Sequence, residues 1–149
     1  MKQSIDYARC KRLVIGLVGH DIHVVANRIL SVALEDAGFF VCNLKTNNTV
    51  RKFVDAAIEI EADAVLLSSL NGEAESWCQD FRKHFQLIGM GDIVLYAGGN
   101  LVIGGRPEKE VIDLFLGYGF NRVFYQYTDF NVIIKNLIED LTYGCSSKQ

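Results

Sequence analysis

Apolar positions in this chain follow two rhythms. Short apolar runs fall at 13–19, 39–44, 64–68, 93–97 and 122–125. Between them lie longer segments in which apolar residues return every three or four positions. A continuous run of this length is what a strand covered on both faces requires, and the longer period is that of an amphipathic helix. The pattern predicts helices over 24–37, 49–61, 73–87, 107–118 and 130–141. Val25, Ile29, Leu30, Ala33 and Leu34 share one side of the first, and Phe53, Ala56, Ala57 and Ile60 form the inner face of the second. Gly38 and Gly119 stand where helices end, Pro107 falls in a first turn, and Asn47, Asn48 and Asp129 are candidate N-caps. Residues 1–12 read as a lead-in and 146–149 as a frayed tail.

Five strands alternating with five helices through short loops describe an α/β fold. Right-handed crossovers turn that order into a doubly wound parallel sheet with helices on both faces. The flavodoxin-like, Rossmann-like strand order 2-1-3-4-5 is the expected solution, with a ligand crevice where strands one and three diverge.

Composition narrows the function. The 149 residues fit one domain, with a core over about 12–142; half are hydrophobic and one is proline. The net charge of -3 and the lack of a Lys/Arg stripe argue against nucleic acid. No run of 18 apolar residues suggests a membrane span, and Met1 to Arg12 is too polar for a signal peptide. Cys10, Cys42, Cys78 and Cys145 form no Cys-x-x-Cys pair, so reduced thiols in a cytoplasm are expected, with Cys42 packed in a strand.

Polar residues gather at the strand ends. Asp21-x-His23 follows the first strand, Ser68-Ser69-Leu70 the third and Gly98-Gly99 the fourth. A carboxylate beside an imidazole can fix its tautomer and leave the other nitrogen for a metal. Taken singly, each feature has a plainer reading. His23 is a helix-start histidine, Asp21 an N-cap, Ser68 a strand-end hydroxyl and Gly98-Gly99 a turn. His20 is a solvated loop residue, and His84 is exposed. Trp77, Phe81 and Phe85 are helix packing, and Glu73 and Glu75 a solvated helix start. A receiver domain places aspartate where the third strand here ends in serines. A flavodoxin carries a Ser/Thr-rich phosphate loop after strand one, and a dinucleotide fold G-x-G-x-x-G; this chain has neither.

In register, the three features resemble the cobalamin-binding domains that hold the cofactor base-off with histidine on the cobalt. Asp21-x-His23-x-x-Ala26 is separated by residues 27–67 from Ser68-x-Leu70, and by 71–97 from Gly98-Gly99, at the family's intervals. The wider wording over about 12–142 is similar to the small subunits of methylaspartate mutase (glutamate mutase). The resemblance implies adenosylcobalamin as cofactor, with His23 as lower axial ligand to cobalt and Asp21 orienting its ring. Ser68 would bond the displaced benzimidazole with Leu70 against it, in a slot between strands one and three. Gly98 and Gly99 would let the nucleotide tail pass, and Asn100, Leu101 and Val102 would line its channel. His20, Ile22, Val24, Ala26 and Ser69 complete the implied binding set. Ala26 stands where the family has glycine, which puts its methyl group against the tail; His20 stands where these subunits usually carry serine. The implied reaction is the radical interconversion of L-glutamate and threo-3-methylaspartate, shared with a large barrel-type catalytic subunit, and no catalytic residue lies in this chain alone. The alternatives are a corrinoid carrier or cobalamin sensor without mutase chemistry, and a domain that no longer holds the cofactor, the latter prompted by Ala26.

Overall fold

The computed structural model describes residues 10–126 and 128–147. Its five-stranded sheet is parallel throughout and runs in the order β2-β1-β3-β4-β5. The strands are β1 (Arg12–Leu17), β2 (Phe40–Asn43), β3 (Ala64–Ser69), β4 (Val94–Gly99) and β5 (Arg122–Tyr125). The helices are α1 (Val25–Asp36), α2 (Val50–Ile60), α3 (Ala74–Trp77), α4 (Phe81–Gln86), α5 (Glu108–Gly117) and α6 (Phe130–Ser147). The fold class and strand order are those expected.

Alternation along each strand divides the interior in two. Val14, Val65, Leu67, Leu95 and Ala97 join Phe53, Phe81, Phe85, Val111 and Phe115 on the side of α2, α4 and α5. Leu13, Ile15, Ala64, Leu66 and Tyr96 join Leu30, Leu34, Ile133 and Leu137 on the side of α1 and α6. Both faces being covered explains why the strands read as unbroken apolar runs.

The helices depart from expectation in four places. The segment 73–87 is two helices. Asp80, at φ 56°, takes a left-handed conformation that breaks the turn between α3 and α4. Thr49, not Asn47 or Asn48, caps α2, its hydroxyl accepting from the Lys52 N–H at 3.3 Å. Pro107 precedes the first turn of α5 as its cap residue and is not inside it. The last helix runs on to Ser147, so the tail expected to fray is helical at 146–147; Lys148 and Gln149, like most of the lead-in at 1–9, lie outside the described residues. Gly38 and Gly119 end their helices at φ 102° and 105°, and Asp129 caps α6 through Asn131 N–H at 2.9 Å. Cys10, Cys42 and Cys78 are free thiols, and Cys42 lies in β2; the Cys145 side chain is outside the described set.

Candidate cofactor site

The carboxyl ends of β1, β3 and β4 bring the three polar features together. Ser68 lies beside Leu17 in one direction and Gly98 in the other, and Ser69 pairs with Gly99. Beyond β1 the chain is held by Asn48, which is buried. Its side-chain amide donates to the carbonyls of Leu17 at 3.1 Å, Lys45 at 3.1 Å and Leu44 at 3.3 Å. The residue read as a helix cap therefore fixes the start of the motif loop.

Asp21 is fully buried and spans the crevice. One carboxylate oxygen accepts the backbone N–H groups of Leu70 at 2.5 Å and Asn71 at 3.1 Å. The other accepts the His23 backbone N–H at 3.0 Å and faces His23 Nδ1 at 2.7 Å. Burial pushes the carboxyl upward. The bonds from Leu70, the His23 ring, the His23 N–H and Asn71 outweigh it and hold the group below its ordinary value. An ionised carboxylate can only accept, so Nδ1 carries a proton, and in the neutral imidazole the lone pair therefore lies on Nε2. The His23 side chain is 55% exposed. Asp21 does not cap α1, whose cap residue is Val24 with no side-chain bond. The chemistry on offer is a single oriented, basic imidazole nitrogen at the sheet edge.

His20 is exposed and its backbone N–H donates to Glu73 Oε1 at 3.0 Å, which also accepts from the Trp77 indole at 3.3 Å. Glu73 is thus not a solvated helix start but a clamp on the motif loop. Gly19 between these groups, at φ 77°, leaves no room for a side chain, since a Cβ would fall 2.5 Å from Glu73 Oε1. Phe81 and Phe85 are core residues, and His84 is exposed.

A cavity of about 490 Å³ lies on the α1/α6 face of the sheet, with Leu70, whose N–H donates to Asp21, in its wall. The expected Ala26, Ser68, Leu70, Gly98, Gly99 and Asn100 line it, together with Leu17, Asn27, Leu30, Phe124, Gln126, Thr128, Phe130 and Ile133. It therefore reaches across β4 and β5 to α6 and is wider than a slot between β1 and β3. Leu101 and Val102 do not reach it. Both are buried in the opposite core, because the chain leaves β4 on that side. Ser69 is buried, with its hydroxyl 3.4 Å from Asn71 Oδ1, and does not line the cavity. Ile22 and Val24 are exposed beside His23.

The residues missed from the sequence share a signal. Leu13, Ile15 and Leu17, then Ala64, Leu66 and Ser68, then Tyr96 and Gly98, all point to the α1/α6 face by the two-residue period. Along β3 and β4 that face shrinks from Leu66 to Ser68 and from Tyr96 to Gly98, which opens space at the carboxyl edge. The α1 and α6 positions that roof the space follow from the layer they occupy.

The two glycines serve different ends. Gly99 has φ 99°, and a Cβ there would lie against the Ser69 carbonyl oxygen at 2.3 Å, so the chain itself demands glycine. Gly98 is at no such angle, and a Cβ would meet Phe124 at an ordinary 3.5 Å. The protein's own packing tolerates a methyl group at Gly98, where it would stand in the cavity wall.

Among the described residues no group of three or more His, Cys, Asp or Glu side chains can hold a metal ion, and no helix is long and apolar enough to cross a membrane.

Comparison with known proteins places this geometry. No family model matches the chain. Among solved structures, a cobalamin-binding protein from Desulfitobacterium hafniense superposes with TM-score 0.68 at 20% identity, covering 87% of this chain and 58% of that one. The signal receiver domain of a response regulator from Mycobacterium tuberculosis superposes with TM-score 0.62 at 12% identity, covering 89% of this chain and 97% of that one. Both likenesses are of fold, and one fold with two such different occupants leaves the strand-end residues to decide between them. Sequence relatives are nearer. The glutamate mutase sigma subunit of Carboxydothermus hydrogenoformans is 45% identical over 129 residues, 87% of this chain and 94% of that protein. That of Clostridium cochlearium is 40% identical over 131 residues, 88% and 96% of the two chains. At such identity over nearly the whole length of these relatives, the chain belongs to the glutamate mutase sigma subunit family.

Proposed function

We propose that this chain is the cobalamin-binding subunit of an adenosylcobalamin-dependent carbon-skeleton mutase, an isomerase of the glutamate mutase type, and that all of it forms one cofactor-binding domain. The observation that carries this reading is the Asp21–His23 pair joined through Leu70 to the wall of a 490 Å³ cavity. His23 Nε2 would hold the cobalt of the bound cofactor. Among the described residues no cluster of metal-ligating side chains surrounds it, and a single imidazole suits a metal that a cofactor brings with its own ligands. Asp21 holds the ring's tautomer and direction.

The cavity fits the nucleotide tail on two further counts. A glycine its own fold does not require stands in the wall at Gly98, and the lining is largely apolar with a few polar groups, as a ligand slot needs. Ser68 offers its hydroxyl to the base there, with Leu70 packed beside it. Ala26 adds a methyl group to the same wall, and His20, Ile22 and Val24 lie around the rim, where the corrin would rest. Bound cofactor supplies the radical chemistry; the chain binds it, orients it and buries its tail. The substrates, L-glutamate and threo-3-methylaspartate, are held by a separate large barrel-type subunit in a cytoplasmic complex.

The test is spectroscopic first. Added adenosylcobalamin is expected to give a base-off spectrum with histidine bound. With ¹⁵N-labelled protein, EPR of the reduced cofactor should show coupling to one imidazole nitrogen. Persistence of that coupling in His23→Ala would defeat the assignment. Glutamate isomerisation is expected only after a cognate large subunit is added, and activity of this chain alone would refute the two-subunit reading.

A further inference from the structure

Asn27 is 4% exposed, lines the cavity, and has one side-chain atom, Nδ2, with no hydrogen-bond partner. Among the buried side-chain nitrogens and oxygens of the described residues, only this one stands without a bond. Buried polar atoms are nearly always paired, and an unpaired donor in a ligand cavity marks a place for a ligand acceptor.

The orientation of the amide is fixed by a chain of bonds that ends on an unambiguous donor. The backbone N–H of Lys45 donates to Asn43 Oδ1 at 2.8 Å. Asn43 must then present its NH2 group to Asn27, and Asn43 Nδ2 donates to Asn27 Oδ1 at 2.8 Å. Turning the Asn27 amide over would set NH2 against NH2. Nδ2 is therefore the atom left over, and β2 holds it in place through Asn43.

We infer that Asn27 is a binding and specificity-determining residue for the buried ligand, its Nδ2 donating one hydrogen bond to a neutral acceptor on the ribose–base portion of a cobamide tail. This rests on the cofactor reading above. Among the described residues the cavity lining includes Asn27, Ser68, Asn100, Gln126 and Thr128 but no Lys or Arg, which favours a neutral oxygen or ring nitrogen over a phosphate oxygen as the recognised atom. Two sources share that chemistry, the ribose hydroxyls and the base nitrogen released from cobalt. Ser68 and Asn27 give the α1 and β3 sides of the slot one polar contact each, in a wall that is otherwise largely apolar on those sides. Asn27 lies one residue beyond Ala26, so recognition of the tail begins in the first turn of α1, four residues after His23.

The test compares binding of cobalamin and of tail-less cobinamide to the full chain by absorbance titration at pH 8. Two variants are used. Asn27→Asp keeps the oxygen that accepts from Asn43 and replaces the donor, and Asn27→Leu removes both polar atoms. Both are expected to weaken cobalamin binding by roughly 3–10-fold, the loss of one hydrogen bond, with cobinamide binding unchanged. Far-UV circular dichroism and thermal melting establish that each variant is folded. A cobamide whose base is a phenol, which lacks the ring nitrogen, separates the two sources. If the variants lose the same factor with it as with cobalamin, a ribose hydroxyl is the acceptor. If the variants bind it as tightly as wild type does, the base nitrogen is. Unchanged cobalamin affinity in folded Asn27→Asp and Asn27→Leu, or an equal loss with cobinamide, would overturn the inference. Failure of the cofactor reading shows elsewhere, as a wild-type spectrum without histidine ligation.

Discussion

Asp21 does more at the single-residue scale than orient an imidazole. Its four accepted bonds tie the motif loop to the loop after β3, so the ring and the cavity wall share one anchor. Asp21→Asn is expected to destabilise the fold by about 1.5–3 kcal/mol at pH 7, as loss of hydrogen bonds to a charged group does. The pH dependence has a definite sign. The carboxyl sits below its ordinary value in the folded chain, so its contribution is complete above the unfolded value of about 4 and is lost as pH falls through the lower folded value. Urea midpoints of wild type and Asp21→Asn should converge below about pH 4; a gap that stays constant to pH 3 would mean the charge is irrelevant. Gly98 and Gly99 make a second contrast. Gly99→Ala meets both a left-handed φ and the Ser69 carbonyl and should cost at least ~2 kcal/mol. Gly98→Ala should leave the melting temperature nearly unchanged and weaken cobalamin binding, because its methyl group enters ligand space. That His23, Asp21, Ser68 and both glycines meet at the carboxyl edge of the sheet was legible from residue type and spacing. Asn27 was not, because an asparagine in a first helical turn looks like a solvated helix residue until its neighbour Asn43 and the cavity are seen.

Among the elements, strands and their order were readable because burial on both faces writes itself as unbroken apolar runs. The break between α3 and α4 was hidden. Trp77, Phe81 and Phe85 keep a four-residue spacing across it, and only the left-handed Asp80 interrupts the turn. That break has a consequence at the site. The short α3 carries Glu73 at its N-terminal cap position, aimed at His20 N–H and the Trp77 indole. Those bonds, led by the one from the His20 backbone, hold the Glu73 carboxyl below its ordinary value. Glu73→Ala is expected to speed amide hydrogen exchange at His20 and its neighbours in the β1–α1 loop, while β3 and β4 exchange as in wild type. Uniform exchange across the loop in both proteins would show that the clamp adds nothing to the motif's order. Leu101 and Val102 misled for a related reason. An apolar stretch just past a glycine pair reads as channel lining, but beyond the end of β4 both residues are buried in the other core.

For the whole molecule, the two layers have separate tasks. The α2–α5 side is filled with aromatic rings, including Phe81 stacked on Phe120 with centroids 4.9 Å apart, and stiffens the sheet. The α1/α6 side gives up packing at its upper end to form the cavity, so its closure depends on how α6 is held. That role falls to Asp140. It accepts from Tyr96 Oη at 2.5 Å and from Arg122 Nε at 2.7 Å and Nη2 at 2.8 Å, tying α6 to β4 and β5. Arg122 is the main reason the Asp140 carboxyl lies below its ordinary value, so this tie too is complete at neutral pH and fails as pH falls through that lowered value. Phe130 and Ile133, two turns and more before it on the same helix, line the cavity. Asp140→Ala should therefore loosen α6 without touching any lining side chain. The expected result is faster exchange along α6, with cobalamin binding weakened and cobinamide binding unaffected, since only the tail uses the wall that α6 provides. If both corrinoids lose affinity equally, the damage has spread to the sheet edge and α6 is not a separable wall. If neither does, the tail is held by α1 and the sheet alone.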